Sequence, residues 1–198
     1  MVVKSLEKAK KGYLVNIDDK EYLVDEEIVI KYRLVKDKEL EDNLIDNIIH
    51  DNNMIIYYKK ALNYSLKYNK NSAAIYDYLN KFEINNSDIA EIIDKLIKIH
   101  VLDDEKLILN ALDTLVRKGN GKLLIKEKLY NLKYRTELID FALTKINYDD
   151  YFKALKKLYD KAIIKYEKES DSYIKNMKIK KYLYQRGYSQ DDINTIID

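Results

Sequence analysis

The sequence predicts a mainly α fold: three tandem three-helix repeats, preceded by a short N-terminal β-hairpin and helices. The main reason is an internal repeat. One apolar template, with offsets 0, 5, 10, 13 and 14, occurs as Leu79, Ile84, Ile89, Ile92 and Ile93. It returns as Leu129, Tyr134, Ile139, Ala142 and Leu143, and again as Leu183, Tyr188, Ile193, Ile196 and Ile197. Self-similarity at this period marks stacked helical units, none of which can bury its apolar face alone. The second reason is composition: 46% hydrophobic and 35% charged residues describe a globular chain rather than a disordered one.

The front of the chain has a different pattern. Tyr13–Ile17 and Glu21–Val24 are short β-prone runs around Asp18-Asp19-Lys20, which reads as a hairpin turn. A lone hairpin is marginal in water and must lean on a neighbour. Asp25, Glu26 and Glu27 then open a helical run from Ile28 to Leu34, where a helix dipole favours acids. A second short helix is expected from Glu39 to Asp51, with Leu40, Leu44, Ile45 and Ile48 on one face.

Three units follow this front segment (1–52): 53–102, 103–147 and 148–198. The helices of the first are placed at 54–68, 72–82 and 87–99, and those of the second at 104–118, 122–132 and 136–146. The third has them at 148–168, 173–186 and 190–197. Ile75, Ile125 and Ile179 precede the anchors Leu79, Leu129 and Leu183 by one turn. Ala61-Leu62 and Ala111-Leu112 stand 18 residues before their anchors, and Ala154-Leu155 stands 29 before. The added 11 residues are about three helical turns, so the longer helix keeps its faces aligned.

Capping residues support the last helix of each unit. Ser189 with Asp192 reads as a capping box, Asn85 with Asp88 shares the register, and Thr136 substitutes for Arg135 in the second unit. Gly187 suits the left-handed residue that ends the preceding helix. Glu83 and Lys133 occupy its register at a cost of about 1 kcal/mol each in that conformation, which predicts differently shaped turns.

No cysteine is present, which excludes disulfides and thiolate metal sites. No apolar run approaches the roughly 20 residues of a spanning helix, and the start lacks a secretory apolar region, so a cytoplasmic protein is expected. Gly119-Asn120-Gly121-Lys122 lacks the Walker spacing and reads as a turn between helices. His50 and His100 are isolated and read as helix-end histidines, and Asp103-Asp104-Glu105 as an ordinary acidic helix start. No metal, cofactor or catalytic residue is expected.

The net charge of +2 hides an asymmetry: residues 1–52 carry 9 basic and 13 acidic side chains, and the remainder 27 and 21. From Arg117 to Arg135 the chain holds Arg117, Lys118, Lys122, Lys126, Lys128, Lys133 and Arg135 against one acid, Glu127. With Ile125, Leu129 and Leu132 as the buried stripe of the middle helix, Lys122, Lys126, Tyr130 and Lys133 share an adjacent face. The repeat register carries Lys126 and Tyr130 onto Lys180 and Tyr184. Lysines neutralise phosphates and tyrosines stack on bases, so this strip suits a nucleic-acid backbone or an acidic partner. A solvated lysine-rich face is the competing reading. Lys153, Lys156, Lys157 and Lys161 form a second basic face, interrupted by Asp160 and Glu167; a plain exposed helix surface is the favoured reading, and Lys156 and Lys157 join the binding candidates.

Four segments, Ile30-Lys31-Tyr32-Arg33-Leu34, Ala61-Leu62-Asn63-Tyr64, Val101-Leu102-Asp103-Asp104 and Tyr182 to Ser189, together resemble the RecX family in order and spacing. The resemblance covers essentially the whole chain. It implies an elongated, curved helical-repeat protein without catalytic activity. It further implies a protein that binds RecA filaments on single-stranded DNA and suppresses ATP hydrolysis, strand exchange and co-protease action. The polar helix faces suit a monomer. Two other functions fit the residues alone: a plain single-stranded nucleic-acid-binding module, and a helical scaffold for an unrelated protein.

Overall fold

The computed structural model describes residues 1–197. Three strands come first: β1 (Val3–Lys8), β2 (Tyr13–Ile17) and β3 (Lys20–Val24). The helices are α1 (Glu26–Lys31), α2 (Asp42–Tyr68), α3 (Ser72–Asn80), α4 (Asn86–Lys98), α5 (Asp104–Arg117), α6 (Lys122–Asn131), α7 (Thr136–Thr144), α8 (Tyr148–Lys165), α9 (Ser172–Tyr184) and α10 (Gln190–Ile197). Two compact bodies result. One comprises residues 1–69 and 75–102, the other 70–74 and 103–198.

In the first body the strands form an antiparallel sheet in the order β1-β2-β3. The expected hairpin is present, closed by Asp18 and Asp19 with φ of 45° and 71°, the backbone twist that matches paired strands. β1 escaped the sequence reading because Val3-Lys4-Ser5-Leu6-Glu7-Lys8 alternates only weakly. The sheet leans on α1 and the start of α2, burying Val3, Val15, Ile17 and Val24 with Ile28, Leu34, Leu40, Ile45 and Ile48.

The two helices expected at 39–51 and 54–68 are one helix, α2. The expected boundary falls at Asn52-Asn53, and an asparagine side chain can compete for its own backbone. Asn52 instead turns its carboxamide outward: Oδ1 accepts from the Asp25 N–H at 2.8 Å, and Nδ2 donates to the Leu23 carbonyl at 3.0 Å. The amide that could have ended the helix ties it to β3. His50 therefore lies within α2 rather than at its end, with Nε2 3.1 Å from Asp88 of α4.

The repeat template is the core. Leu79, Leu129 and Leu183 are fully buried, as are Ile75, Ile125, Ile89, Ile92 and Ile193. Leu132, expected in the buried stripe, is 52% exposed, because α6 ends at Asn131 and the chain turns outward there.

All three inter-helix turns share one shape, contrary to expectation. Glu83, Lys133 and Gly187 have φ of 57°, 61° and 84°. Gly187 N–H donates to Tyr184 O at 2.8 Å, and Lys133 N–H to Tyr130 O at the same distance. The turn sends the following side chain inward in each repeat: Tyr188 is fully buried, and Ile84 and Tyr134 are half-buried against the core, which offsets the left-handed strain at Glu83 and Lys133. Ser189 and Asp192 form the capping box, each N–H donating to the other's side chain at 3.2 and 3.1 Å. Asn85 and Arg135 stand at the N-caps of α4 and α7 without side-chain cap bonds, so neither the Asn85–Asp88 box nor a Thr136 cap forms.

In the second body, successive repeats are joined backbone to backbone. Gly121 N–H donates to Arg186 O at 2.7 Å, and Leu123 N–H to Gly187 O at 3.0 Å. Lys122 N–H donates to the Tyr151 hydroxyl at 3.2 Å, so the opening donors of α6 are satisfied by the next repeat. A Cβ on Gly121 would lie 2.2 Å from Gly187 C, which is why glycine stands there.

Candidate nucleic-acid interface

The second body holds a groove of about 350 Å³ lined by the end of α5 and one face of α8. Arg117, Lys118, Lys153, Lys157 and Lys161 line it, with Asp150 the one acid. The placement follows from local chemistry. α5 ends at Arg117 with Lys118 as its C-cap; beyond it the Asn120 side chain donates back to Leu115 O at 2.8 Å, and Gly119 takes a φ of 75°. A Cβ at Gly119 would lie 2.9 Å from Leu158 Cδ1, so the turn presses directly on α8 and brings Arg117 and Lys118 beside its lysines.

Lys153, Lys157 and Lys161 are spaced one turn apart on α8. Like charges at this spacing destabilise a helix by about 0.2–0.5 kcal/mol per pair. Among the described residues none of the five groove cations forms an ion pair. The groove thus stores repulsion that a polyanion would relieve, and its concave walls concentrate the positive potential.

The structure re-sorts the candidates found in the sequence. Arg117, Lys118 and Lys157 meet in the groove, while Lys156 is exposed on α8 outside its lining. Lys122 lies with its ammonium 4.7 Å from the Tyr148 ring centroid and 5.7 Å from that of Tyr151. Lys126 is paired with Asp140 of α7 at 2.8 Å. Lys128 and Tyr130 are exposed on α6, Lys133 occupies the left-handed turn, and Arg135 stands exposed at the start of α7. On α9, Lys180 is half-buried and Tyr184 is 59% exposed. Lys153 and Lys161 were passed over as ordinary surface. The missing signal was the proximity of α5 to α8, which no spacing along the chain reveals.

Beneath this surface lies a buried polar network. Tyr151 donates to Asp192 Oδ2 at 2.9 Å while accepting from Lys122 N–H. Burial pushes the Tyr151 phenol well above its ordinary pKa, and the Asp192 hydrogen bond adds to this, so it stays a donor. Among the described residues no cluster of three His, Cys, Asp or Glu side chains could hold a metal ion, and no helix is long and apolar enough to cross a membrane. Asp103, at the start of the acidic run, caps α5 by accepting from Lys106 N–H at 2.9 Å.

Comparison with known proteins points one way. The sequence model of the third three-helix domain of RecX matches residues 149–197. The regulatory protein RecX of Streptococcus thermophilus strain CNRZ 1066 is 31% identical over 205 residues, spanning 99% of this chain and 76% of the relative. That of Streptococcus uberis is 26% identical over 204 residues, with the same coverage of each chain. A crystal structure of a regulatory protein RecX superimposes with a TM-score of 0.82 at 22% identity, covering 98% of both chains. The crystal structure of RecX from Lactobacillus salivarius gives 0.68 at 27% identity over 73% of this chain and 94% of that one.

Proposed function

The chain belongs to the RecX family of regulatory proteins, and from that premise we propose that it restrains the RecA recombinase by occupying RecA filaments on single-stranded DNA. The groove between α5 and α8 is the observation that carries the nucleic-acid part of this reading: five cations in one concavity, none ion-paired among the described residues, suit a phosphate backbone. The protein acts in the cytoplasm as a monomer, without chemistry of its own. It holds the filament in a state that hydrolyses ATP and exchanges strands poorly. Helical repeats of this kind present helix faces rather than an enclosed substrate pocket, which suits a polymeric partner.

The test is the single-stranded-DNA-dependent ATPase of the cognate RecA with this protein titrated in below one molecule per RecA. Inhibition at such ratios is expected, together with loss of strand exchange and co-protease action. No inhibition at excess protein would refute the proposal. The groove favours a second reading, a plain single-strand binder, which predicts DNA binding of the same salt dependence with no effect on RecA at substoichiometric amounts.

A further inference from the structure

The first body carries a surface that the basic groove does not explain. Five aromatic rings form a continuous ladder from the second half of α2 to Tyr78 of α3 and Phe82 just beyond it. Tyr68 lies 5.1 Å from Tyr64, Tyr64 stacks on Tyr78 at 4.3 Å with planes 8° apart, and Tyr78 meets Phe82 edge-on at 5.5 Å. Tyr57 closes the ladder against Phe82 at 5.6 Å. Lysines flank it at both ends: Lys60 Nζ stands 4.0 Å from the Phe82 centroid, and Lys67 Nζ 5.1 Å from that of Tyr68.

A ladder buried only for packing would end under apolar side chains. This one ends at Tyr68, which is 49% exposed. An exposed ring beside an ammonium has the chemistry of a stacking platform: the ring accepts a base face and the cation meets the adjoining phosphate. Unpaired bases offer that face without the cost of unstacking a duplex, which favours a single strand.

We propose that the Tyr57–Tyr64–Tyr68–Tyr78–Phe82 ladder, ending at Tyr68 beside Lys67, is a base-stacking site for single-stranded nucleic acid, separate from the phosphate-binding groove of the second body. The proposal rests on the nucleic-acid reading of the protein and deepens it: the groove holds backbone, the ladder holds bases.

The protein is titrated at low salt with a 20-nucleotide oligothymidylate and with an abasic deoxyribose-phosphate oligomer of equal length. The wild type is expected to bind the oligothymidylate about tenfold more tightly, the scale of one stacked base. Tyr68→Leu should bring the two affinities within about twofold, while Tyr68→Phe, which keeps the ring, should preserve the difference. Equal affinity of the wild type for both oligomers would overturn the ladder while leaving the groove intact, as would an unchanged difference in Tyr68→Leu. Binding to neither oligomer would overturn the nucleic-acid reading as well.

Discussion

Tyr151 and Tyr188 are both fully buried, yet they fare differently. Tyr151 satisfies its hydroxyl twice, whereas the Tyr188 hydroxyl has no hydrogen-bond partner among the described residues. Removing the first leaves a buried carboxylate and a backbone N–H short of a partner, and Tyr151→Phe should cost about 1–3 kcal/mol in urea unfolding. Tyr188→Phe removes a polar atom that gains nothing from burial, so it should be neutral or stabilising in the same assay. The shared left-handed turn yields a second expectation. Glu83→Gly and Lys133→Gly should each stabilise the protein by about 1 kcal/mol, read as a raised urea midpoint with unchanged slope. Gly187 was legible in the sequence because glycine announces the conformation; Glu83 and Lys133 concealed it, because burial of the following residue decided the backbone.

At the scale of elements, α1 is fastened to α2 by Asp51, which accepts from Lys31 and from the Tyr32 hydroxyl. Burial raises the Asp51 pKa, but the hydrogen bonds from Lys31 and Tyr32 outweigh it and hold the carboxyl below its ordinary value. A depressed carboxylate contributes stability that is complete above the unfolded value, about 3.9, and is lost as pH falls through the lower folded value. Asp51→Asn should therefore flatten the decline of the urea midpoint below about pH 4 and lower that midpoint at neutral pH. α8 supplies the functional counterpart. Reversing Lys153, Lys157 and Lys161 to Glu should weaken single-strand binding and reduce the slope of log affinity against log salt by about 0.7 for each phosphate no longer neutralised. The same reversal at Lys126 should have less effect, since Asp140 already partners that lysine. Helix boundaries in the repeats were largely legible, because apolar period and caps agree there. The groove was not, since Arg117 and Lys161 are brought together by packing of α5 against α8 and by a glycine turn.

At the scale of the molecule, each body has a core of its own. The second encloses sixteen buried residues from Ile108 to Ile193. A fragment comprising residues 103–198 should unfold cooperatively in urea with the near-native far-ultraviolet dichroism of a helical protein. A non-cooperative transition would show that residues 70–74 are required. The charge division seen in the sequence follows the same plan: the acidic residues 1–52 belong to the first body and the groove cations to the second. The internal repeat made the helical units legible. The fusion of two expected helices into α2 was hidden, because it depends on where one carboxamide finds its partner.

The close approach of Gly121 to Gly187 makes the array directional. The opening amides of α6 find their acceptors in residues that follow it by about thirty to sixty-five positions, so the second repeat is completed by the third. Trimming the chain from its C-terminal side would strand three amides at once. Trimming from the opposite side leaves these bonds untouched. A protein built this way can shed or exchange its front more cheaply than its end, and variation in repeat number should accumulate there.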